Sequence, residues 1–453
     1  MNTTTSKRRM GREIKAAAWT ARHPGFLATP AGILASGSEL GWTATGGIVG
    51  GTAAALGIWY RAHPDTFDRL AAPRLRAVRR RWTAYLGPRW KATLRACDLY
   101  TTHRKTGEEH FPRITKLRAY SPTVDVLHLK LPKGQAVRQF EANAELLADA
   151  LRAYRVGVER VKPGVVGLVI QRAEAFTEVI DAPEMPWDAD AVDLTDLYVG
   201  EDEYGNEWRQ GILGRHVFGA GATGSGKNSI PMSMLRAMAP LLRDGLVRLW
   251  LCDPKQMEFA KLAPVAHRYA ADNESCGDLV GEYVEAMQAR QREFAAEGRR
   301  KITVSRETPL DLLILDEIGA LLAYGDPSTA RELRRQLALV GSQGRATGNS
   351  MLALVQEPTK DTVPIRDLFT DRFCLRVTAA SHVDMALGDN ARLRGALADE
   401  IPNTAETAGI GYVIRQRSRV PMQVRAAYVA DHEIDELVAF VQNGRSADLR
   451  VVA

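Results

Sequence analysis

The sequence is poor in cysteine and in aromatic residues. Its four cysteines are scattered over 453 residues, with no C-x-x-C pair and no neighbouring His cluster. This argues against a zinc site and a disulfide framework, and it favours a reducing compartment. Aromatic residues make up only 7% of the chain, and no internal repeat or low-complexity tract occurs. With 45% hydrophobic and 25% charged residues, the composition is that of a folded protein of two or three domains.

Positive charge is concentrated in the N-terminal quarter. Residues 1–118 carry 21 Lys/Arg and 7 Asp/Glu, whereas residues 119–453 carry 39 and 47. The overall net charge of +6 is therefore weak evidence for nucleic-acid binding. The segment 61–118 combines basic residues with interleaved Trp and Tyr. It could be a juxtamembrane segment attracted to anionic lipid, an arm that binds a DNA backbone, or a solvated helical linker.

Charge is nearly absent from residues 25–60, where Glu39 is the one charged side chain. The 20 uncharged residues 41–60 have about the length of a membrane-spanning helix, and the segment before them could form the other arm of a hairpin. Basic residues lie on both sides of this region, so both flanking segments are expected at the cytoplasmic face of the cell membrane. We predict a membrane hairpin or single span here, with a buried Ala/Gly-rich helix pair as the alternative. A cleaved signal peptide is not expected.

A small α/β module is expected next. Residues 123–132 ("TVDVLHLKLP") alternate as a strand does, 139–154 have helical spacing, and 165–173 ("VVGLVIQRA") form another apolar strand. Nothing in this module has a catalytic pattern. Two prolines in "DAPEMPWDAD" mark a linker before the following domain.

The stretch "GATGSGKN" (221–228) fits the phosphate-binding signature G-x-x-x-x-G-K-[ST] at seven of its eight positions. An apolar strand precedes it and a helical segment, 230–243, follows, which is the context that a phosphate loop requires. Glycines let successive N–H groups point at the phosphates, and the lysine reaches the β- and γ-phosphates. The candidate nucleotide-binding residues are Gly221, Ala222, Thr223, Gly224, Ser225, Gly226, Lys227, Asn228 and Ser229.

The second half of such a site follows about 90 residues later. The segment "PLDLLILDEIGALL" (309–322) predicts a buried strand that ends in Asp316 and Glu317. The first carboxylate can hold magnesium through water, and the second can polarise the attacking water. Either residue alone could instead cap the next helix. The pair, together with the loop, predicts binding of ATP and Mg²⁺.

Asn228 departs from the signature, which has Ser or Thr at this position. Its carboxamide oxygen lies on a longer arm than a hydroxyl, and Mg²⁺ demands near-octahedral geometry. Ser229 points about 100° away on the helix and is a poor substitute. With Asn228 and Asp316 as metal ligands, we expect a slow but active ATPase. A site that binds nucleotide without hydrolysing it is the alternative.

Three further segments resemble the FtsK/SpoIIIE family of DNA-pumping ATPases. Residues 248–260 ("RLWLCDPKQMEFA") are similar to the family's strand followed by "DPK". Residues 344–358 resemble its Arg-x-x-Gly segment before a strand that ends in Gln, and 365–389 resemble its next Arg-bearing strand and turn. The resemblance covers about 198–430. The N-terminal segments resemble those of actinobacterial, TraB-like members associated with plasmid or integrative-element transfer.

The resemblance also implies roles for residues beyond the two motifs. Gln356, at the end of its strand, would sense the γ-phosphate. One of Arg345, Arg372 and Arg376 would reach the nucleotide of a neighbouring subunit, as arginine fingers do. Lys227, Asp316, Glu317 and these four residues are the candidate catalytic set.

The predicted fold is α/β: a RecA-like P-loop ATPase core with a parallel sheet, preceded by the small α/β module and an N-terminal helical membrane segment. The expected divisions are a basic cytoplasmic tail, the membrane segment, a basic linker, the accessory domain, the motor, and a C-terminal helix and tail: 1–24, 25–60, 61–118, 119–187, 188–430 and 431–453. The last division is too short for the winged-helix module that often ends this family. We therefore expect binding to the DNA backbone, with partners or lipid location selecting the substrate.

The resulting hypothesis is a membrane-tethered ATPase that forms a hexameric ring and translocates double-stranded DNA for conjugal or element transfer. Other transfer proteins are expected partners. Three alternatives stay open. One is a chromosome-segregation pump of the same family. Another is a nucleotide-binding coupling component with little hydrolysis, which Asn228 would explain. The third is a protein-secretion ATPase, although those commonly repeat the phosphate-loop domain and one copy occurs here.

Overall fold

The computed structural model describes residues 36, 38–39, 41–85, 87–323, 327–415 and 418–451. Side chains are described as far as residue 444. The predicted basic tail and nearly all of the first arm of the predicted hairpin lie outside the described residues. The chain divides into two compact units, one ending at Arg76 and the other beginning at Ala77.

Two helices account for most of the described part of the first unit, α1 (Trp42–Ala62) and α2 (Pro64–Leu70). The indole N–H of Trp59 donates to Thr66 Oγ1 at 2.8 Å, which joins them. In the part of the chain that the structure describes, no helix is both long enough and apolar enough to cross a bilayer. The predicted span at 41–60 is therefore not supported. The helix forms, but glycine, alanine and threonine dominate it and keep its hydropathy low.

The second unit begins with a small module built on an antiparallel sheet. The elements along residues 72–171 are α3 (Ala72–Thr83), α4 (Gly87–Ala96), β1 (Thr101–Thr102), β2 (Glu109–His110), β3 (Arg113–Ala119), β4 (Val124–Lys130), α5 (Val137–Ala142), α6 (Ala144–Leu151), β5 (Arg155–Lys162) and β6 (Val165–Gln171). The four-stranded sheet has the order β3-β4-β6-β5. Helices α4, α5 and α6 cover one of its faces, and the core between them includes Tyr85, Trp90 and Leu94. The packed module thus includes residues that the sequence analysis assigned to a linker.

The strands expected over 123–132 and 165–173 are β4 and β6. The helix expected over 139–154 is divided at Asn143, which ends α5 and precedes α6. Strands β3 and β5 lie at the two edges of the sheet and were not predicted. Both edge strands carry many charged side chains, so neither shows the clean apolar alternation of β4.

The motor domain follows. Its elements are β7 (Leu197–Asp202), β8 (Glu207–Gln210), β9 (His216–Ala220), α7 (Ser229–Ala237), α8 (Ala239–Arg243), β10 (Val247–Cys252), β11 (Arg268–Ala270), α9 (Asn273–Glu297), β12 (Leu310–Leu315), α10 (Ile318–Leu322), α11 (Pro327–Thr347), β13 (Asn349–Val355), β14 (Asp371–Leu375), α12 (Ala380–Leu387), β15 (Ile410–Ile414), β16 (Pro421–Ala426) and α13 (Asp431–Val451). Short 3₁₀ helices occur at Ala189–Ala191, Ala260–Val265, Arg366–Leu368 and Ala405–Thr407.

These strands form one ten-stranded sheet with the order β11-β10-β12-β13-β9-β14-β15-β16-β7-β8. The pairs from β11 to β14 are parallel, and those from β14 to β8 are antiparallel. The prediction of a parallel sheet is therefore correct for six strands and wrong for the other four. Short connections join β7 to β8 and β15 to β16, and connections of that length can only reverse the chain.

Helices cover both faces of the sheet. The apolar core on one face includes side chains of α9, α11 and α12, and the core on the other includes those of α7, α8 and α13. All six residues of β12 are buried, as expected for a central parallel strand covered on both sides. This arrangement leaves the carboxyl ends of the parallel strands free to carry a site.

A buried polar junction connects the module to the motor sheet. Arg155 on β5 is fully buried and forms an ion pair with Glu203. Its Nε donates to Gln171 Oε1 at 2.6 Å, and its Nη1 donates to the carbonyl oxygen of Gly395 at 3.1 Å. Gln171 Nε2 in turn donates to Gln423 Oε1 at 2.8 Å. Removing one partner of such a pair leaves an uncompensated buried charge, at a cost of about 3–5 kcal/mol.

Candidate nucleotide site

The glycine-rich loop connects the end of β9 to the start of α7. The N–H of Gly221 donates to the carbonyl oxygen of Val355 at 2.9 Å, and the N–H of Ala222 donates to that of Arg376 at 2.7 Å. Val355 ends β13, and Arg376 directly follows β14. The loop is therefore fixed between its two neighbouring strands, at the edge where the parallel strands end.

Glycine is required inside the loop for two reasons. Gly224 and Gly226 have φ of 76° and 80°, in the left-handed region that other residues rarely adopt. A Cβ on Gly226 would also lie 2.7 Å from the backbone nitrogen of Gly409. That same N–H of Gly409 donates to the carbonyl oxygen of Ser225 at 2.8 Å. The loop curls tightly against this segment, in the concave shape that successive N–H groups need to surround a phosphate.

Asp316 lies directly after β12 at the same edge. Its N–H donates to the carbonyl oxygen of Cys252 at 2.9 Å. Its side chain is buried, and within the described residues neither carboxylate oxygen has a hydrogen-bond partner. Lys227 Nζ lies 3.9 Å from Asp316 Oδ1. Burial raises the pKa of Asp316 to about 6, although Lys227 acts in the opposite direction and Asp253 adds to the rise.

Glu317 is held by contacts from two directions. Its Oε1 accepts the backbone N–H of Gln356 at 3.1 Å, and its Oε2 lies 3.7 Å from Lys255 Nζ. Its backbone has φ 55°, which is uncommon for a residue with a side chain. The hydroxyl of Thr223 donates to the side-chain oxygen of Gln356 at 3.2 Å. Gln356 therefore contacts both the loop and the carboxylate.

Asn228 occupies the N-cap position of α7, but its side chain makes no capping hydrogen bond. Its Oδ1 is buried and has no hydrogen-bond partner among the described residues. The hydroxyl of Ser225 is in the same situation. Buried polar atoms normally find partners, so these oxygens, like those of Asp316, are suited to a ligand. Ser229 is the first residue of α7.

The three candidate arginines lie at opposite ends of the parallel strands. Arg376 is beside the loop, where its Nη2 donates to the carbonyl oxygen of Thr223. Arg345 Nε donates to the carbonyl oxygen of Gly214 at 2.9 Å, before the start of β9. Arg372 lies at the start of β14 and pairs with Asp367 at 3.2 Å. Arg345 and Arg372 are thus at the opposite edge from the loop of their own chain.

A pocket of about 720 Å³ continues from the loop. Its outer wall includes Val179, Met257, Tyr428 and Ile434, which the sequence analysis missed. They come from segments far apart in the chain, and no local pattern marks them as neighbours, although Met257 lies within the segment 248–260. Arg425 lines the same pocket and donates to the carbonyl oxygen of Glu178 at 2.8 Å. An apolar wall beside a phosphate-shaped loop can accommodate a base and sugar.

A glycine loop between a buried strand and a helix, with its lysine facing a carboxylate two strands away, defines a P-loop NTPase. A match to the FtsK/SpoIIIE family extends over residues 181–410, half of the chain. The chain belongs to that family. A second match, to the actinomycete conjugal transfer protein N-terminal domain, covers residues 83–172, which contain the module's four-stranded sheet and helices α4, α5 and α6.

Individual relatives are distant. The DNA translocase FtsK of Streptococcus pyogenes serotype M3 (strain SSI-1) is 22% identical over 353 residues, which cover 72% of this chain and 42% of the relative. FtsK of Tropheryma whipplei (strain TW08/27) is 23% identical over 353 residues, covering 73% and 46%. The chain thus spans less than half the length of these curated relatives.

Two solved structures are also similar. The pCW3 conjugation coupling protein TcpA, in a monomer form with ATPγS, has 16% identity and a TM-score of 0.48, covering 78% of this chain and 98% of that one. The cytoplasmic domain of the type VII secretion ATPase EccC from Thermomonospora curvata has 20% identity and a TM-score of 0.45, covering 57% and 32%.

Proposed function

We propose that the chain is an ATPase that translocates double-stranded DNA during conjugal transfer of a plasmid or an integrative element. The main support for the proposal is that the glycine loop lies next to the acidic end of β12, with Lys227 Nζ 3.9 Å from Asp316 Oδ1. Membership of the FtsK/SpoIIIE family supports DNA as the substrate. The match of the module to a conjugal transfer domain supports the biological setting.

ATP would bind with its phosphates in the loop. The loop N–H groups, the N-terminus of α7 and Lys227 together supply positive charge to the phosphate groups. The base and sugar would lie against the wall formed by Val179, Met257 and Tyr428. Tyr428 and Met257 are exposed in this structure, so a bound base would cover apolar surface there.

The residues present fit a magnesium ion. Asn228 Oδ1 and both carboxylate oxygens of Asp316 are buried oxygens that have no hydrogen-bond partner in the described chain. Oxygen is the ligand that Mg²⁺ prefers, and it usually takes one or two protein groups together with waters and phosphates. When bound, the ion would neutralise phosphate charge that develops during transfer. Asn228 would hold it less well than a hydroxyl does, so turnover would be slow.

Glu317 would accept a proton from the attacking water or orient that water. The N–H of Gln356 and the ammonium of Lys255 hold its two oxygens. Because Gln356 also accepts a hydrogen bond from Thr223 of the loop, a phosphate in the loop can change the position of Glu317. This is a physical route for the γ-phosphate sensing that the family resemblance implies for Gln356.

The positions of the arginines support a ring of identical subunits, which we propose to be a hexamer. A head-to-tail ring brings one edge of a subunit against a different edge of the next. Arg345 and Arg372 lie away from the loop of their own chain, and we propose that one of them contacts the loop of a neighbour. Arg376 already contacts its own loop, so we propose that it acts within one subunit.

The proposal also includes a location at the cytoplasmic face of the cell membrane, together with other transfer proteins. The basic segment 61–118 supports it because Lys and Arg are attracted to anionic lipid. Sedimentation of the full chain with phosphatidylserine vesicles tests this part. Failure to sediment at low salt would remove the membrane from the proposal and leave the ATPase untouched.

The test of the central proposal is an ATPase assay of the full chain with and without duplex DNA. We expect DNA to accelerate hydrolysis. Lys227→Ala should lower the rate about 100-fold or more, as expected when a charged group that stabilises the transition state is lost. The exposed Lys301→Ala is the matched control and should behave as wild type. Equal rates with and without DNA contradict a translocase.

Asn228 favours a second candidate, a coupling component that binds nucleotide without hydrolysing it. Fluorescent ATPγS binding distinguishes the two functions. Binding that depends on Lys227 without any hydrolysis would support the coupling component. Absence of both binding and hydrolysis would contradict both functions.

A further inference from the structure

The module's sheet has one face that its helices do not cover. In an antiparallel pair, residues directly opposite each other project to the same face. Arg113 is opposite Lys130, and Lys116 is opposite His128. Leu129, the neighbour of Lys130 in β4, points instead into the core beneath the helices. The charged residues therefore occupy the open face.

The same register places further cations on this face. Arg118 is opposite Val126, in the same β4 row as His128 and Lys130. Val165 of β6 is opposite both Lys130 and Lys162, so Lys162 points to this face as well. All five cations are exposed. We call the surface that they form the basic face: Arg113, Lys116, Arg118, Lys130 and Lys162.

Negative charge hardly offsets these cations. Among the described residues of the four strands, Glu159 is the one carboxylate on this face, and it accepts a hydrogen bond from the hydroxyl of Ser418 at 2.9 Å. Its side chain lies across Gly167, where an added Cβ would be 2.8 Å from Glu159 Cγ. Burial and then the charge of Lys116 lower the pKa of His128, so this ring stays neutral near pH 7.

The basic face is next to the part of the sheet that contacts the motor. At the other end of the same sheet face, Val124 and Val169 pack against Val420 of the motor. The buried junction around Arg155 lies beside that contact. A ligand on the basic face would therefore be held by a surface that is fixed to the motor sheet.

We propose that the basic face binds the phosphate backbone of double-stranded DNA. The inference rests on the proposed function, which supplies duplex DNA as the ligand. Three strand spacings give the face a width of about 14 Å. Phosphates follow one another every ~3.4 Å along the axis of each DNA strand, so several lie within reach of the five cations. Contacts of this kind position a duplex without selecting a sequence, as a translocase requires.

The test measures the salt dependence of duplex binding by the full chain, using fluorescence anisotropy of a labelled random-sequence duplex. The variant replaces three exposed cations together, Lys116→Gln, Arg118→Gln and Lys130→Gln. Each neutralised phosphate contributes about 0.9 to the slope of log K against log salt. The slope should therefore fall by about 2.7 if all three bind phosphate. Each single substitution should lower it by about 0.9, which covers the case that the triple variant does not fold.

The matched control removes the same charge from the motor: Arg292→Gln, Arg300→Gln and Lys301→Gln, all exposed. Its slope should equal that of wild type, and ATPγS affinity should be unchanged in both triple variants. An equal loss of slope in both variants would mean a general charge effect and would overturn the proposal. The proposal would also be overturned if the basic-face variant kept its DNA binding but no longer sedimented with phosphatidylserine vesicles. That result would assign the face to a membrane. A wild-type chain that binds nucleotide but no duplex overturns both the basic face and the translocase.

Discussion

Replacing Asn228 by threonine should improve the magnesium site. The Oδ1 of Asn228 is buried without a hydrogen-bond partner in the described chain, at the N-cap of α7. A threonine hydroxyl at this position would offer the metal a compact oxygen, in addition to the Asp316 oxygens, which also have no hydrogen-bond partner in the described chain. Because Mg²⁺ tolerates little distortion of its octahedron, the shorter arm should fit better.

The size of the effect follows from how few groups change. Lys227 and Asp316 stay in place, 3.9 Å apart, so a single ligand differs between wild type and variant. Single changes around metal sites alter affinity by about 10–100-fold. We expect the lower end, a Mg²⁺ half-saturation about 10-fold lower in Asn228→Thr, equivalent to about 1.4 kcal/mol. Titrating Mg²⁺ against fluorescent ATPγS binding measures this, and ATP turnover at saturating Mg²⁺ should rise in parallel.

Two controls make the test specific. Ser229→Ala removes the adjacent hydroxyl, which points about 100° away, and should leave the titration unchanged. Asn228→Ala removes the ligand oxygen altogether and should raise the Mg²⁺ half-saturation above that of wild type. If Asn228→Thr, Asn228→Ala and wild type all titrate alike, residue 228 does not face the metal, and the account of slow turnover fails.

Three further predictions follow from the same site. Gly226→Ala should abolish measurable ATPγS binding because its Cβ would lie 2.7 Å from the nitrogen of Gly409. Gly205 has a similar φ of 79° but open space around it, so Gly205→Ala should bind ATPγS normally. Protonation of Asp316 competes with binding of the metal. The Mg²⁺ half-saturation should therefore be constant above pH 7 and rise as the pH falls through about 6. A half-saturation that stays unchanged down to pH 5 would contradict this. Tyr428→Ala should weaken ATP binding about 5–10-fold, from loss of aromatic contact, without changing the affinity for inorganic triphosphate; equal losses for both ligands would contradict its role at the base.

The sequence allowed the centre of the site to be predicted because each part is encoded by contiguous residues. The glycines of 221–226 set the shape of the loop locally. The four consecutive apolar residues 312–315 before Asp316 predict a buried strand. The structure brings Lys227, Asp316, Glu317 and Gln356 to one edge of the sheet. Their proximity follows from parallel strands whose carboxyl ends share an edge.

Other features depend on contacts between distant segments and could not be predicted. Strand β16 pairs with β7 more than 200 residues earlier, and nothing in either strand specifies that direction. The pocket wall joins Val179 to Tyr428, which follows β16. The separation of Arg345 and Arg372 from Arg376 likewise appears only once strand order is known. The uncharged stretch 41–60 has the length of a membrane span, but its many glycine and threonine residues make it too weakly apolar for one.

The polar junction around Arg155 has a practical consequence for anyone who cuts this protein. A fragment that starts at residue 188 would keep Glu203 and Gln423 but lose the guanidinium and amide that they face. The surface left by the cut would expose Val420 and the unpaired carboxylate of Glu203. Such a surface can self-associate, and the product could be mistaken for native assembly. Biochemistry on the motor should therefore retain the chain from at least Ala72, where α3 begins, so that any oligomer observed reflects native surfaces.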